Sequence, residues 1–446
     1  MNEKKILISN GSVICGNGKV FPKGWILIDG GKISRMGSSK PPSCGENTIV
    51  LDAQGHYVMP GFINAHTHLY SQLARGIPAG RMKSFGQVLK GLWWKLDRAL
   101  TLEDVYVSAT LGAVEAIKSG VTTVVDHHAS YGAITGSLGA VSEAVSNLGV
   151  RASICFEISD RCGKGARDEA VAETGLYLES LKNHQASDPR FLLRGMVGLH
   201  ASMTLSDETL EQALELMEIF GVGAHVHVAE GIEDVNATRK ICGLSPAARL
   251  VRKGILNPNS LAIHCVHVDE EDIKLIKKAG CYAVHNPSSN LNNAVGVAPF
   301  LALCRGGVPV AIGTDGMSSG VACDIKLASV LHKPGALDAQ AAWNEVEGAV
   351  RFVAPHMVSG MFGCSVGVLE KGAAADVIIV DDAPPTLLDG KNSWGHTIFG
   401  VLNARVRTTI IDGKIRMHDF QMADIDEISL SNAARKLSKR LWKRII

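Results

Sequence analysis

Hydrophobic positions in the first sixty residues form short runs that alternate with polar positions, which is typical of β-strands. Asn-Gly, Asp-Gly-Gly and Pro-Pro turn signals separate these runs. The pattern predicts strands at Lys5–Ser9, Trp25–Asp29, Ile33–Arg35, Ile49–Asp52 and His56–Met59. This segment therefore predicts a small all-β unit.

From Gly61 onward, short runs rich in Val, Ile and Ala alternate with longer segments of helical period. The helical segments include Thr101–Ser119, Asp168–Lys182 and Asp207–Phe220. Eight strand ends are predicted, at His66–His68, Val121–Asp126, Ala152–Glu157, Leu193–His200, Gly223–Val228, Leu261–His267, Cys281–His285 and Pro309–Thr314. Alternating strands and helices indicate a parallel sheet, and eight such units predict a (β/α)8 TIM barrel.

The β pattern returns after about residue 365, at Asp376–Val380 and Arg407–Ile411, and a helix is predicted at Leu430–Ile446. We therefore predict an α/β fold in which the two ends of the chain share one small β-sandwich domain beside the barrel. The predicted domains are residues 1–60 and 361–446 for the β-sandwich with its C-terminal helix, and residues 61–360 for the barrel.

Composition narrows the function classes. The 446 residues are 46% hydrophobic, enough for a large core. Lys and Arg number 45 against 44 for Asp and Glu, so no global field favours nucleic acid, and no such partner is expected. No apolar run approaches the ~20 residues that span a membrane, and no secretory pattern is present, so we expect a cytoplasmic protein without a membrane partner. The 10 scattered cysteines are expected to be reduced, mostly buried thiols.

Many of the 16 histidines follow predicted strands, at the barrel rim where TIM-barrel active sites are built. His66 and His68 lie two residues apart on one strand, so both side chains can point to the same side. His227 ends a later strand, and Asp315 follows the last one. Three imidazoles and a carboxylate suit Zn²⁺, and also Fe²⁺ or Mn²⁺. The sequence therefore predicts a divalent metal site.

Further polar and aromatic residues are expected at the barrel mouth. Residues that could bind a flat heterocycle by stacking or hydrogen bonding are Gln72, Arg75, Trp93, Trp94, His127, His128 and His200. For Trp93 and Trp94 a packing role is equally open. For His285, which ends the seventh predicted strand, a supporting role and a catalytic role are equally open.

Six ordered motifs carry a resemblance to a known family. They are PGFINAHTH, HVHVAE, IHCVHV, HNPSSN, GTDG and the closing GVLEKGAAADVIIVD. Together they resemble the amidohydrolase superfamily over nearly the whole chain, and within it the branch of guanine, cytosine and adenosine-derivative deaminases and triazine hydrolases. GLWWKLDRAL and DHHAS are similar, more narrowly, to bacterial aminohydrolases associated with purine and selenium-dependent hydroxylase gene clusters.

The resemblance implies a role for each matching residue. His66, His68, His227 and Asp315 would bind one divalent ion, with zinc favoured over iron, and Asp315 would also take a proton from water. Glu230 would be the proton shuttle, His264 would orient the attacking water, and His285 and Asn290 would support the site. A mononuclear centre is implied, because the fourth strand ends in GLHAS and lacks the Lys that bridges two metals in binuclear relatives.

The implied activity is a hydrolytic deamination that releases ammonia from a cyclic amidine of a purine-like heterocycle. Two alternatives stay open: a related hydrolase that releases chloride or an alkylamine or opens an amide ring, and a metal-free scaffold, which the complete set of expected ligands disfavours.

The His127-His128 pair suggests a polar or anionic substituent on the substrate. Several purine deaminases have Gln at the position of Ser71, whereas in this chain Gln follows one residue later, as Gln72. This difference disfavours a guanine-like substrate. The resemblance also implies a homodimer.

Overall fold

The computed structural model describes residues 4–43, 45–188 and 190–446, and its chain begins with five strands of one sheet. These strands are β1 (Lys5–Ile14), β2 (Val20–Asp29), β3 (Lys32–Gly37), β4 (Thr48–Asp52) and β5 (Tyr57–Pro60). The predicted turn at Asn10-Gly11 is wrong, because β1 continues through it as a bulge. The pairing with β2 shifts register between Ile8 and Gly11, and Asn10 has a left-handed φ of 52°.

The middle of the chain forms the strands of a parallel barrel. They are β6 (Phe62–His68), β7 (Val121–His128), β8 (Arg151–Ile158), β9 (Leu193–Gly195), β10 (Val197–Ala201), β11 (Ala224–Val228), β12 (Leu261–His264), β13 (Tyr282–His285), β14 (Val310–Ile312) and β15 (Asp315–Gly316). β9 and β10 are the two parts of the fourth strand, and β14 and β15 are those of the eighth.

The eighth strand closes this barrel. The Gly313 N–H donates to the His285 carbonyl on β13 at 3.1 Å, and the next N–H, of Thr314, donates to the His66 carbonyl on β6 at 2.9 Å. β14 pairs with β13, and β15 pairs with β6. The predicted TIM-like barrel is therefore confirmed, with the carboxyl ends of its strands on one rim.

Helices follow the barrel strands, as the helical period predicts. They are α1 (Phe85–Val88), α2 (Trp94–Ala99), α3 (Leu102–Lys118), α4 (Ser137–Leu148), α5 (Lys164–Ser187), α6 (Asp207–Phe220), α7 (Ile232–Cys242), α8 (Pro246–Arg252), α9 (Glu270–Ala279), α10 (Pro287–Asn292), α11 (Phe300–Arg305), α12 (Ala322–Leu331), α13 (Lys333–Ala336), α14 (Trp343–Gly348) and α15 (Ala354–Phe362). A capping box begins α3: the Thr101 hydroxyl accepts from the Asp104 N–H, and the Asp104 carboxylate accepts from the Thr101 N–H.

The end of the chain returns to the first sheet. Its elements are β16 (Val377–Val380), α16 (Ser393–Phe399), β17 (Val406–Ile411), β18 (Lys414–His418), β19 (Gln421–Met422) and α17 (Glu427–Ile445). β16 pairs antiparallel with β5, so both chain ends share one small β unit beside the barrel, as predicted, and its nine strands form one continuous hydrogen-bonded sheet. The bulge in β1 explains this, because the strand pairs with β4 before the bulge and with β5 after it. The domain boundaries at 60 and 361 stay predictions.

A buried ion pair joins the barrel to this sheet. Arg151 on β8 donates to Asp376 from Nε at 3.0 Å and from Nη2 at 3.2 Å, and the Asp412 N–H donates to the same carboxylate at 2.8 Å. Arg151 and Asp376 are 3% and 1% exposed. The carboxylate therefore neutralises a guanidinium that has almost no access to water.

Replacing Asp376 by Ala is expected to lower the free energy of unfolding by about 3–5 kcal/mol, because a buried unpaired charge is costly. Urea unfolding followed by tryptophan fluorescence measures the loss. Asp381→Ala, at a carboxylate 44% exposed five residues along the chain, is the control. Equal losses in the two variants would contradict a stabilising role for the buried pair.

The described cysteines are all free, as predicted, but fewer are buried than expected. Only Cys15, Cys155, Cys265 and Cys281 are buried among those described, and Cys44 lies outside the described residues. Within the described residues, no helix has the length and apolar character needed to cross a membrane.

Candidate metal centre and substrate cavity

Polar side chains from three parts of the barrel rim converge on one point. His66 and His68 end β6, His227 lies on β11, and Asp315 begins β15. The ring nitrogens of His66, His68 and His227 lie within 4.8 Å of one another, and a second set within that distance combines His66 and Asp315 with His264. The structure thus brings together all four residues that the sequence suggests as metal ligands.

The hydrogen bonds of two rings define which nitrogen faces this point. His68 Nδ1 lies 2.5 Å from the His127 carbonyl oxygen, and His227 Nδ1 lies 2.8 Å from that of His200. Since a carbonyl only accepts, Nδ1 donates in both rings, and Nε2 of each neutral imidazole carries a lone pair. This is the tautomer that binds a metal through Nε2.

The donor set fits a divalent cation. His68 Nε2 lies 2.8 Å from Asp315 Oδ1, and two acceptors in contact need a proton or a cation between them. His66 Nε2 and His264 Nε2 are buried without a hydrogen bond. Burial lowers the pKa of His66 to about 3 and that of His227 well below its usual range, so both rings are neutral. Neutral imidazoles and one carboxylate are the ligands that zinc and similar ions take.

His225 is a contributor that the sequence reasoning did not assign to the site. Its Nε2 lies 2.8 Å from His66 Nδ1, and both rings are fully buried. One ring therefore donates to the other, which fixes the orientation of His66. The sequence does contain a signal for this role. His225 lies two residues before His227 on β11, just as His66 lies two residues before His68.

Replacing His225 by Leu is expected to weaken metal binding about 10–100-fold, because it removes the partner that orients His66 while leaving every candidate ligand in place. Competition with a chelator of known affinity measures the change. His225→Gln, whose amide can still hydrogen-bond, is expected to recover part of the affinity. A Leu variant that binds metal like the wild type would contradict this role.

Glu230 and His264 lie beside the candidate ligands. His264 Nε2 is 3.6 Å from Glu230 Oε2 and 3.9 Å from Asp315 Oδ2. His264 Nδ1 hydrogen-bonds to Asn290 Oδ1 at 2.7 Å, so the free Nε2 faces both carboxyl groups. Burial, and then the charge of Asp315, raises the pKa of Glu230 well above its usual range. A protonated Glu230 beside an ionised Asp315 is the arrangement that proton transfer needs.

Strained backbone surrounds the same residues. Ala229, His264, Cys265 and Asp315 have left-handed φ values of 48°, 70°, 50° and 64°, although none is glycine. Such conformations are costly and persist where the surrounding structure imposes them, often at functional sites. Here Ala229 follows β11, His264 ends β12 and Cys265 follows it, and Asp315 begins β15, all at the rim.

The two predicted supporting residues have different surroundings. Asn290 contacts His264, as described above. His285 instead places Nε2 3.3 Å from His332 Nε2 and stacks on Phe300 at 5.1 Å between ring centres. Its ring therefore packs among the helices behind the rim, which favours a supporting role over a catalytic one.

A cavity opens beside the candidate ligands. His68, His227, Glu230 and Asp315 contribute to its wall on the candidate metal side. The remaining lining residues are Tyr70, Phe85, Leu89, Trp93, Trp94, Asp97, Glu157, Arg161, His200 and Asn293. The flat aromatic surfaces of this wall suit a planar heterocycle.

Three of the seven residues that the sequence suggests as heterocycle contacts, Trp93, Trp94 and His200, line this wall. His200 Nδ1 lies 2.7 Å from the Thr204 hydroxyl. Gln72 is buried, and its Oε1 accepts from Arg75 Nη2 at 2.6 Å. The short helical segment 69–74 holds Gln72 in the packing, and its contact with the substrate stays a prediction.

His127 and His128 also lie outside the cavity wall, because β7 continues to His128 and holds both rings inside the barrel packing. His127 Nε2 donates to the Leu199 carbonyl at 3.1 Å. His128 packs against Phe156, and its Nε2 lies 2.8 Å from the Ser130 hydroxyl. Direct contact of these two side chains with the substrate stays a prediction.

A sequence model of the Amidohydrolase family matches residues 57–416. The chain belongs to the amidohydrolase family. It is 30% identical over 424 residues to a 5′-deoxyadenosine deaminase of Methanococcus maripaludis, covering 94% of this chain and 96% of that one. It is 32% identical over 416 residues to a 5-methylthioadenosine/S-adenosylhomocysteine deaminase of Thermococcus sibiricus, covering 92% and 94%.

A solved adenosine deaminase of Xanthomonas campestris with bound zinc has 25% sequence identity and a TM-score of 0.83, and the alignment covers 98% of each chain. The predicted amidohydrolase resemblance is thus confirmed, and the chain is a metal-dependent hydrolase that acts on carbon–nitrogen bonds. The narrower resemblance to one bacterial aminohydrolase group stays a prediction.

Proposed function

We propose that this amidohydrolase is a deaminase that releases ammonia from the cyclic amidine of a purine-like heterocycle. The observation that supports this most is Glu230, which favours its protonated form beside the cluster of His66, His68, His227 and Asp315. The purine part rests on the names of the relatives, which act on adenosine derivatives. The four clustered residues would hold one divalent ion, for which we propose zinc.

Held by His66, His68, His227 and Asp315, a divalent ion would lower the pKa of a bound water molecule from about 15.7 to about 7. Asp315 accepts the proton of the attacking water, and His264, through the free Nε2 that faces Asp315, orients that water. Glu230 donates its proton to the ring nitrogen next to the attacked carbon, so that negative charge does not accumulate there. The proton held by Asp315 then passes to the amino group, which leaves as ammonia, while the hydroxyl proton of the adduct returns to Glu230 and the carbonyl group forms.

A coupled ammonia assay on protein with a measured metal content tests this function. The panel contains aminopurine nucleosides, pterins, pyrimidines and ring-opened purine intermediates. We expect ammonia from an aminopurine derivative, in proportion to the bound metal. Release of chloride or an alkylamine, or ring opening without ammonia, would favour the related hydrolases over a deaminase.

The proposal implies a small-molecule substrate and water as reactants. A homodimer, a cytoplasmic location and the expected lack of nucleic-acid and membrane partners stay predictions. Zinc over iron is also a proposal, since three histidines and one aspartate suit both ions.

A further inference from the structure

We propose that Asp97, Glu157 and Arg161, here called the acidic wall, form a subsite that selects substrates carrying hydroxyl or amino groups and rejects those carrying a carboxylate or phosphate. The subsite lies on the cavity wall described above. This inference rests on the proposed deaminase function, and it names the substituent that the substrate carries beside its heterocycle.

The acidic wall holds two carboxylates against one guanidinium. Arg161 Nη2 donates to Asp97 Oδ2 at 2.5 Å and to Glu157 Oε1 at 2.7 Å. The three side chains are only 2–6% exposed, so water screens their charges little. With both acids ionised, the acidic wall carries one net negative charge.

Each carboxylate also keeps one oxygen without a donor. Asp97 Oδ1 is buried and has no hydrogen-bond partner. Glu157 Oε2 lies 3.9 Å from His127 Nδ1, but the ring proton of neutral His127 is on Nε2, where it donates to the Leu199 carbonyl. His127 therefore turns a lone pair toward Glu157 and cannot satisfy it. Buried acceptors of this kind need a donor, and a ligand in the cavity can supply one.

Arg161 is not free to bind an anion. Its guanidinium contacts both carboxylates and also lies 4.3 Å from the centre of the Tyr131 ring and 5.5 Å from that of Trp94. Among the described residues that line the cavity, it is the only Lys or Arg. A carboxylate or phosphate on the substrate would therefore meet two like charges with no available cation.

The His127-His128 pair suggests from sequence a polar or anionic substituent, and the acidic wall favours the polar kind and disfavours the anionic one. Those two rings lie outside the cavity wall, whereas Asp97 and Glu157 lie on it. Burial raises the pKa of Asp97 to about 6, so its carboxyl group is largely ionised at the pH of the assay below, 7.5. The charge that the substrate meets here is therefore negative.

The test compares wild type with Asp97→Asn on three adenine nucleosides that differ only at the 5′ carbon: methyl, aminomethyl and carboxylate. For the wild type we expect kcat/KM for the carboxylate at least about tenfold below that for the amino compound. Asp97→Asn should reduce this ratio about tenfold, mainly through KM. Equal kcat/KM for the two charged compounds, or a ratio that Asp97→Asn does not change, would overturn the proposal.

Two further variants make the result specific. Glu157→Gln should shift the ratio in the same direction, and it replaces Asp97→Asn if that variant does not fold. Asp272→Asn removes another acid that is 3% exposed but lies outside the cavity, and it should keep the wild-type ratio. A shift with Asp272→Asn equal to that with Asp97→Asn would overturn the assignment to the acidic wall.

Failure of the deaminase proposal can be told apart from failure of the acidic wall. If no compound releases ammonia, the deaminase proposal fails, and calorimetric binding of the matching 6-oxo nucleosides still tests the subsite. Tighter binding of the amino than of the carboxylate compound, with the difference lost in Asp97→Asn, supports the acidic wall. Equal binding of the two compounds overturns it.

Discussion

Replacing Glu230 by Gln is expected to reduce the rate of ammonia release about 10²–10⁴-fold while the protein keeps its metal. Gln has about the same size but cannot give a proton to the ring nitrogen next to the attacked carbon. Glu230 also lies outside the groups of side chains that could hold an ion. The measurement is kcat together with the metal content of the same sample.

The matched control is Glu233→Gln, at a partly exposed carboxylate three residues farther along, which should stay within about twofold of the wild-type rate. A Glu230 variant with full metal and a near-normal rate would contradict the shuttle role. Loss of metal together with activity would also contradict the shuttle role, because that result is expected when a metal ligand is replaced.

The barrel and the candidate ligands could be predicted because each follows from a local pattern. Strand period and helix period alternate along the chain, and parallel strands of a closed barrel bring their carboxyl ends to one rim. His66, His68, His227 and Asp315 all sit at such ends, so their convergence follows from barrel closure. No information beyond the sequence pattern is needed to predict that these four residues meet.

The substrate wall could not be predicted in the same way, because strand ends are uncertain by a few residues and the error changes what a side chain faces. β7 runs two residues beyond its predicted end, which places His127 and His128 inside the packing. Asp97 and Arg161 meet from different elements, and no spacing in the sequence signals that contact.

The bulge of β1 shows that local sequence does not determine every turn either. Asn10-Gly11 is a typical hairpin signal, yet here the left-handed residue lets one strand change neighbours instead of reversing the chain. Local preference allowed both outcomes, and pairing with β4 and β5 decided between them. The strained backbone at His264 and Asp315 likewise arises from packing around the site, since neither residue type predicts it.

Replacing His66 by Ala is expected to abolish metal binding and, with it, nearly all activity. Among the described residues, His66 belongs to two of the three groups of side chains that could hold an ion, and its side chain is fully buried, so water cannot readily take its place. His128→Ala makes the same truncation at another fully buried histidine outside those groups. Metal per chain after dialysis, and the rise in melting temperature on adding zinc, compare the two variants.

Zinc at about 100 times its Kd stabilises a binding-competent fold by about 2.7 kcal/mol. The His128 variant should show that rise, and the His66 variant should not. Full metal content in the His66 variant would mean that the ion is held by other residues.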